Sequence, residues 1–230
     1  MEINELQKWN IANEIDTNYD FESLIQRLTD ISRPSGVKFI AKKMDFQGSS
    51  PYISIPYKVM LIDFEGSPAI LTGLMIRDTI LTYYIEDYDF LNEFYLVILE
   101  LFFIARDITF FCFSSYEQQE VLRMLTTLNE QGYDLSKYEF IKSIPIINLQ
   151  KDKFESITEA VFSTNSKVRF TGDPLFRNIK VIDKLFMTKR FEEIINHNRT
   201  CLLNESLILK RWLKYYNIAG AYRETILGDG

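Results

Sequence analysis

From residue 57 onward, apolar and polar positions alternate in short, well-bounded runs. Residues 57–64 hold a continuous apolar stretch, Val59 to Ile62, that reads as a buried strand. Ala69 to Arg77 and Thr79 to Ile85 are rich in β-branched residues and meet at Arg77-Asp78, so the three segments predict an antiparallel meander. Asp89 is placed to cap a long helix to Ile104, with Phe94, Val97, Ile98, Leu101 and Phe102 forming a broad apolar face. Ile108 to Phe113 is apolar throughout, as a central strand should be. Ser114 or Ser115 then caps a helix from Tyr116 to Gln131, with Val121, Leu122, Leu125 and Leu128 facing inward. Ile144 to Leu149 predicts a fifth strand, and a final long helix spans Arg190 to Tyr216 with a candidate break near Arg199.

Ahead of this series, residues 3–15 and 20–32 read as helices, the second capped by Asp20 and ended by Arg33-Pro34-Ser35-Gly36. Val37 to Ala41 reads as a short strand, followed by a Gly48-Ser49-Ser50-Pro51 turn. Residues 1–55 are therefore expected to form an N-terminal helical accessory segment, and residues 56–230 the main domain.

Composition narrows the setting. At 230 residues and 47% hydrophobic, the chain is large enough for one substantial core. Cys112 and Cys201 each lie in an apolar segment, which fits a reducing interior better than a disulfide framework. The start, Met1-Glu2-Ile3-Asn4-Glu5, lacks the features of a secretory signal. Phe94 to Ile104 is too short to span a bilayer and is interrupted by Glu100. The expectation is a cytoplasmic protein with no membrane partner.

The net charge of −6 hides an asymmetry. Residues 1–150 carry 12 basic and 22 acidic side chains, whereas residues 151–214 carry 13 basic and 8 acidic. Acids that hold a metal, followed by bases that track phosphate, suit an enzyme acting on nucleic acid. Overall acidity argues against a nonspecific nucleic-acid coat.

The sharpest chemical feature is Asp63-Phe64-Glu65 at the end of the first apolar strand. Strand side chains alternate, so Asp63 and Glu65 share one face while Phe64 points to the other. Gly66 and Pro68 break the strand immediately afterwards, leaving the acids at its end. Two acids on one face repel, and a divalent cation makes such a pair favourable. A solvated strand end is the alternative. Glu117 opens a helix, where the dipole also favours an acid without any metal. Asp173 in Thr171-Gly172-Asp173-Pro174 reads as turn chemistry.

Strand, strand, strand, helix, strand, helix, strand, helix is also the order of a ribonuclease H-like fold. The chain resembles the 3′–5′ exonuclease (DEDD-type) branch of that superfamily, nearest to the domains associated with RecB-type nucleases. Leu61-Ile62-Asp63-Phe64-Glu65 is similar to the family's first motif. Phe111-Cys112-Phe113-Ser114-Ser115-Tyr116-Glu117-Gln118-Gln119-Glu120-Val121-Leu122 resembles the second, and Asn196-His197-Asn198-Arg199-Thr200-Cys201-Leu202-Leu203 the last. The resemblance covers residues 57–216. It implies an α/β fold with a mixed five-stranded sheet flanked by helices. It further implies a metal-dependent nuclease acting on DNA or RNA, with Asp63, Glu65 and Glu117 as Mg²⁺ or Mn²⁺ ligands and His197 near the position of the water-assisting residue.

Departures from the pattern open a second reading. Thr200 stands where the family has its final Asp, and Asn148 where many relatives carry Asp. Glu205 lies five residues beyond Thr200, so it belongs to another helix face and replaces it badly. A chain with three acids can be a weakened nuclease. It can equally be a catalytically inactive subunit that binds nucleic acid or a protein partner.

Overall fold

A computed structural model of the chain describes residues 19–44, 58–144, 146–148, 175 and 181–227. The elements are α1 (Phe21–Thr29), β1 (Val37–Lys43), β2 (Val59–Glu65), β3 (Leu71–Ile76) and β4 (Thr79–Ile85). They continue as α2 (Leu91–Ile104), β5 (Thr109–Cys112), α3 (Tyr116–Glu130), β6 (Ile146–Asn148), α4 (Ile182–Met187) and α5 (Phe191–Leu227). The helix expected over 3–15, the turn at 48–51 and the Asp173 turn lie outside the described residues.

Among the described residues six strands, rather than five, form one open mixed sheet in the order β1-β4-β3-β2-β5-β6. The β2-β3-β4 meander is antiparallel, with Asp63 opposite Gly73 and Gly73 opposite Thr82. On the other side of β2, β5 and then β6 run parallel to it. Parallel neighbours need a crossover, which α2 and α3 supply. Every residue of β2 and β3 is buried, as strands in the middle of a sheet covered by helices should be.

The sixth strand comes from the segment expected to be accessory. β1 pairs with β4 along its whole length, from Val37 opposite Ile85 to Lys43 opposite Thr79. The short strand read over Val37 to Ala41 is present and runs on to Lys43; its pattern did not show that it joins the main sheet. Helix α1 is equally integral: Asp20 caps it by accepting from the Ser23 N–H at 2.9 Å, and Phe21, Leu24 and Leu28 enter the core. Its C-terminal carbonyls are taken up by Tyr83 Oη, which donates to Leu28 at 2.6 Å, and by Arg33, which donates to Thr29 at 2.6 Å. The described part of residues 1–55 thus shares one sheet and one core with the main domain.

Smaller differences have local causes. Asp87, not Asp89, caps the entry to α2, accepting from the Asp89 N–H at the start of a 3₁₀ turn. Leu122 is exposed, because the inward stripe of α3 runs through Val121, Met124, Leu125 and Leu128. Helix α5 is continuous through Arg199 and extends to Leu227.

Helix α5 lies against β2 and β3. A Cβ built at Gly73 would overlap Asn198 Oδ1 and come within 2.7 Å of Leu202 Cδ1, so glycine is what lets the helix sit this close. We predict that Gly73→Ala pushes α5 off the sheet and costs about 1–3 kcal/mol, as overpacking of a close-packed interface does. Urea unfolding of the variant beside the wild type measures this, and equal midpoints would contradict it.

Candidate metal centre

The acid pair is set at the strand end by α3. After β2 the chain turns through Gly66, whose φ of 91° favours glycine. Tyr116 Oη of α3 donates to the Gly66 carbonyl, and buried Glu120 Oε1 accepts from the Ala69 N–H at 2.9 Å. Arg123 pairs with Glu120, so this buried carboxylate has both a backbone donor and a counter-charge. The turn is thereby tied to the same helix that carries Glu117.

Asp63 and Glu65 are buried, at 9% and 7% exposure. Both look toward α5. Asn198 Nδ2 donates to the Asp63 backbone carbonyl at 3.1 Å and to its Oδ2 at 2.8 Å. Glu65 Oε1 lies 3.7 Å from His197 Nε2, and Cys201 Sγ lies 3.7 Å from the same nitrogen. These three ligand atoms all fall within 4.8 Å of one another.

Glu117 is buried in the first turn of α3, where Ser114 Oγ donates to its Oε2 at 3.0 Å and also accepts from the Tyr116 N–H. Burial nevertheless pushes its pKa up to about 7, against hydrogen bonds from the backbone, Ser114 and Cys112 that pull it down. Burial likewise holds Asp63 well above the usual carboxylate range, and the neighbouring charge of Glu117 adds to the effect. The site residues expected from the strand end and the α3 start are therefore brought together.

The residue that sequence reasoning placed badly is Glu205. It is fully buried, and after desolvation its pKa is raised by the charges of Asp63, Glu117 and Glu65 in that order. Neither carboxylate oxygen has a hydrogen-bond partner by geometry among the described residues, while the Phe113 backbone N–H pulls the pKa down against these charges. Thr200 is turned elsewhere, its Oγ1 donating to the Asn196 carbonyl one turn back on α5 at 2.9 Å. The expectation of a lost fourth acid rested on Thr200 facing the sheet. The face that meets the acids instead presents His197, Cys201 and Glu205, at i, i+4 and i+8. That spacing was present in the sequence and is the signal that would have found Cys201 and Glu205.

Asn148, on the last strand, pairs in register with Cys112 and is half-buried. Cys112 Sγ donates to the Ser114 carbonyl at 2.9 Å, and burial raises its thiol pKa strongly. Within the basic segment that follows residue 150, Arg190 is engaged with Glu193. The side chains of Lys210, Arg211 and Lys214 lie outside the described residues. No helix among the described residues is long and apolar enough to cross a membrane.

Comparison with known protein families, with curated proteins and with solved structures gives no match to this chain. The chemistry therefore rests on the side chains themselves. Buried carboxylates, of which Asp63 and Glu205 are raised by neighbouring acids and Glu205 has both oxygens unsatisfied among the described residues, are the kind of oxygen donors that hard divalent cations take.

Burial makes the metal-free protein sensitive to pH. A folded-state pKa of about 7 for Glu117, against 4.5 unfolded, means the native state binds more protons between these values. Stability is then fully present below about pH 4.5 and lost as pH rises through about 7, by on the order of 3 kcal/mol. Melting temperature in chelator should fall from pH 5 to pH 8, and Glu117→Gln should flatten the slope. A melting temperature that rises over that range would contradict the assignment.

Proposed function

We propose that the chain is a ribonuclease H-like, metal-dependent nuclease of the 3′–5′ exonuclease kind, hydrolysing phosphodiester bonds in DNA or RNA. The observation that carries the reading is that Asp63, Glu65, Glu117 and Glu205, from three separate elements, are all buried, with Glu205 feeling the charges of the other three. The element order β2, β3, β4, α2, β5, α3, β6, α5 supports it, with the acid strand β2 at the centre of the sheet. Divalent ions would be held by the carboxylate oxygens of these four residues. When bound, such ions supply positive charge against the phosphate and a more acidic water.

The chain's own groups have separate tasks in this reading. Asn198 fixes the orientation of Asp63 through its two hydrogen bonds. Ser114 orients Glu117, and Tyr116 and Glu120 hold the turn after β2. His197, buried beside Glu65, is the residue nearest the role of moving a proton to or from an attacking water. The basic segment after residue 150 is the candidate phosphate track.

A second reading is favoured by one observation. Asn198 occupies Asp63 Oδ2 with an amide donor, which satisfies that oxygen without a metal. On this reading the protein is an inactive nuclease-fold subunit that binds nucleic acid or a protein partner.

End-labelled DNA and RNA oligonucleotides incubated with Mg²⁺ or Mn²⁺ separate the two. We predict shortening from the 3′ end, reduced at least about 100-fold by Asp63→Asn or by Glu205→Gln, as loss of charge stabilisation at a reacting phosphate costs. Thr200→Asp should leave the rate within a few-fold, because that side chain faces its own helix. No cleavage of either nucleic acid under both metals, from a protein whose melting temperature still rises with metal, would favour the binding subunit.

A further inference from the structure

Beside the carboxylates, the α5 face carries donors of a different kind. Glu65 Oε1, His197 Nε2 and Cys201 Sγ converge within 4.8 Å, two of them one helical turn apart and the third from the end of β2. All three side chains are buried or nearly so, with Glu65 at 7%, His197 at 5% and Cys201 at 9% exposure. A ring nitrogen and a thiolate are poor ligands for Mg²⁺, which demands oxygen. They are the ligands of Zn²⁺ and its first-row neighbours.

Two of the three separations are close to those of a shared ion, and the third, Glu65 Oε1 to Cys201 Sγ, is within 4.8 Å. Bonds of about 2.0–2.1 Å to nitrogen and oxygen and about 2.3 Å to sulfur, spread tetrahedrally, put the donors about 3.4–3.6 Å apart. The pairs His197–Glu65 and His197–Cys201 are each 3.7 Å apart. At that distance the imidazole and carboxylate are beyond good hydrogen-bond range, yet a small adjustment closes both onto one metal. Charge also balances: a carboxylate, a thiolate and a neutral imidazole bring two negative charges to a dication, and the Cys201 proton leaves to solvent on binding.

We propose that Glu65, His197 and Cys201 form a three-ligand site for a first-row transition metal of the zinc class, with its fourth position open to water. Three protein ligands and an open position are the arrangement of reactive rather than purely structural zinc. The site shares Glu65 with the carboxylate cluster and rests on the reading that this face binds metal; with His197 Nε2 on the ion, that nitrogen carries no proton to or from water and the metal-bound water takes that task. It differs in taking a metal that the oxygen-only cluster of Asp63, Glu117 and Glu205 would not select.

Titration of the metal-free full chain with Co²⁺ tests it, since a thiolate ligand gives a charge-transfer absorption that oxygen ligands do not. The expected result is this band, together with the intense visible bands of four-coordinate cobalt, saturating at one equivalent and erased by Zn²⁺. Cys201→Ala should remove the charge-transfer band. It should also weaken Zn²⁺ binding by more than the roughly 10–100-fold that loss of an outer-shell partner costs. Cys112→Ala should keep the band, and because the chain has two cysteines this variant alone decides the matter if Cys201→Ala fails to fold. Asp63→Asn should keep the band while losing the rise in melting temperature with Mg²⁺. Absence of the band in folded wild-type protein, or its survival in Cys201→Ala, overturns the zinc-class site. A band without any Mg²⁺ or Mn²⁺ effect leaves this site standing and removes the carboxylate reading instead.

Discussion

The close approach of α5 to the sheet is the constraint on which the rest of the site depends. Without a Cβ at Gly73, Asn198 reaches across and engages both the backbone and the carboxylate of Asp63. That contact sets the rotation of the helix about its own axis. Once the rotation is set, His197 and Cys201 must fall beside Glu65, and Glu205 must fall near Asp63 and Glu117. A glycine on one strand thereby decides which side chains of a distant helix become neighbours of the acids.

Placing this many acids in a core is unfavourable in isolation. Each carboxylate loses hydration, Asp63 and Glu205 feel neighbouring charge as well, and the raised pKa values of Asp63, Glu117 and Glu205 express that cost. Elsewhere in the fold the same problem is solved internally: Glu120, equally buried, has the Ala69 N–H and the Arg123 guanidinium. The contrast between Glu120 and Glu205 separates an acid that supports the architecture from one that does not complete its interactions among the described residues.

Much of this was legible in the sequence. Strands β2 and β4 announced themselves because their apolar, β-branched runs are bounded by polar turns, and the Asp63/Glu65 pair came from strand alternation alone. Helix α3 was found through Ser114 and the apolar spacing, although Leu122 faces solvent because the stripe is narrower than the run of apolar residues suggested. What failed was inference across elements. Sheet membership of β1 depends on β4, and nothing local encodes it. The motif register puts its last position at Thr200, whereas the side chains of α5 that neighbour Asp63 are decided by the helix rotation fixed by Gly73 and Asn198. Counting forward from His197 by helical turns reaches Cys201 and Glu205.

The edge strand β1 has an effect beyond completing the sheet. A strand rim offers unpaired backbone groups to any other extended chain, and β1 is seven residues long. Its exposed positions include Lys38, Lys42 and Lys43, so a second strand docking there would bring cations into register against it. Among the described residues the opposite rim, β6, is three residues long and gives little to pair with. Charge at one border and brevity at the other discourage the sheet from growing by accretion, which keeps a core this rich in β-branched and aromatic residues from becoming a template for aggregation.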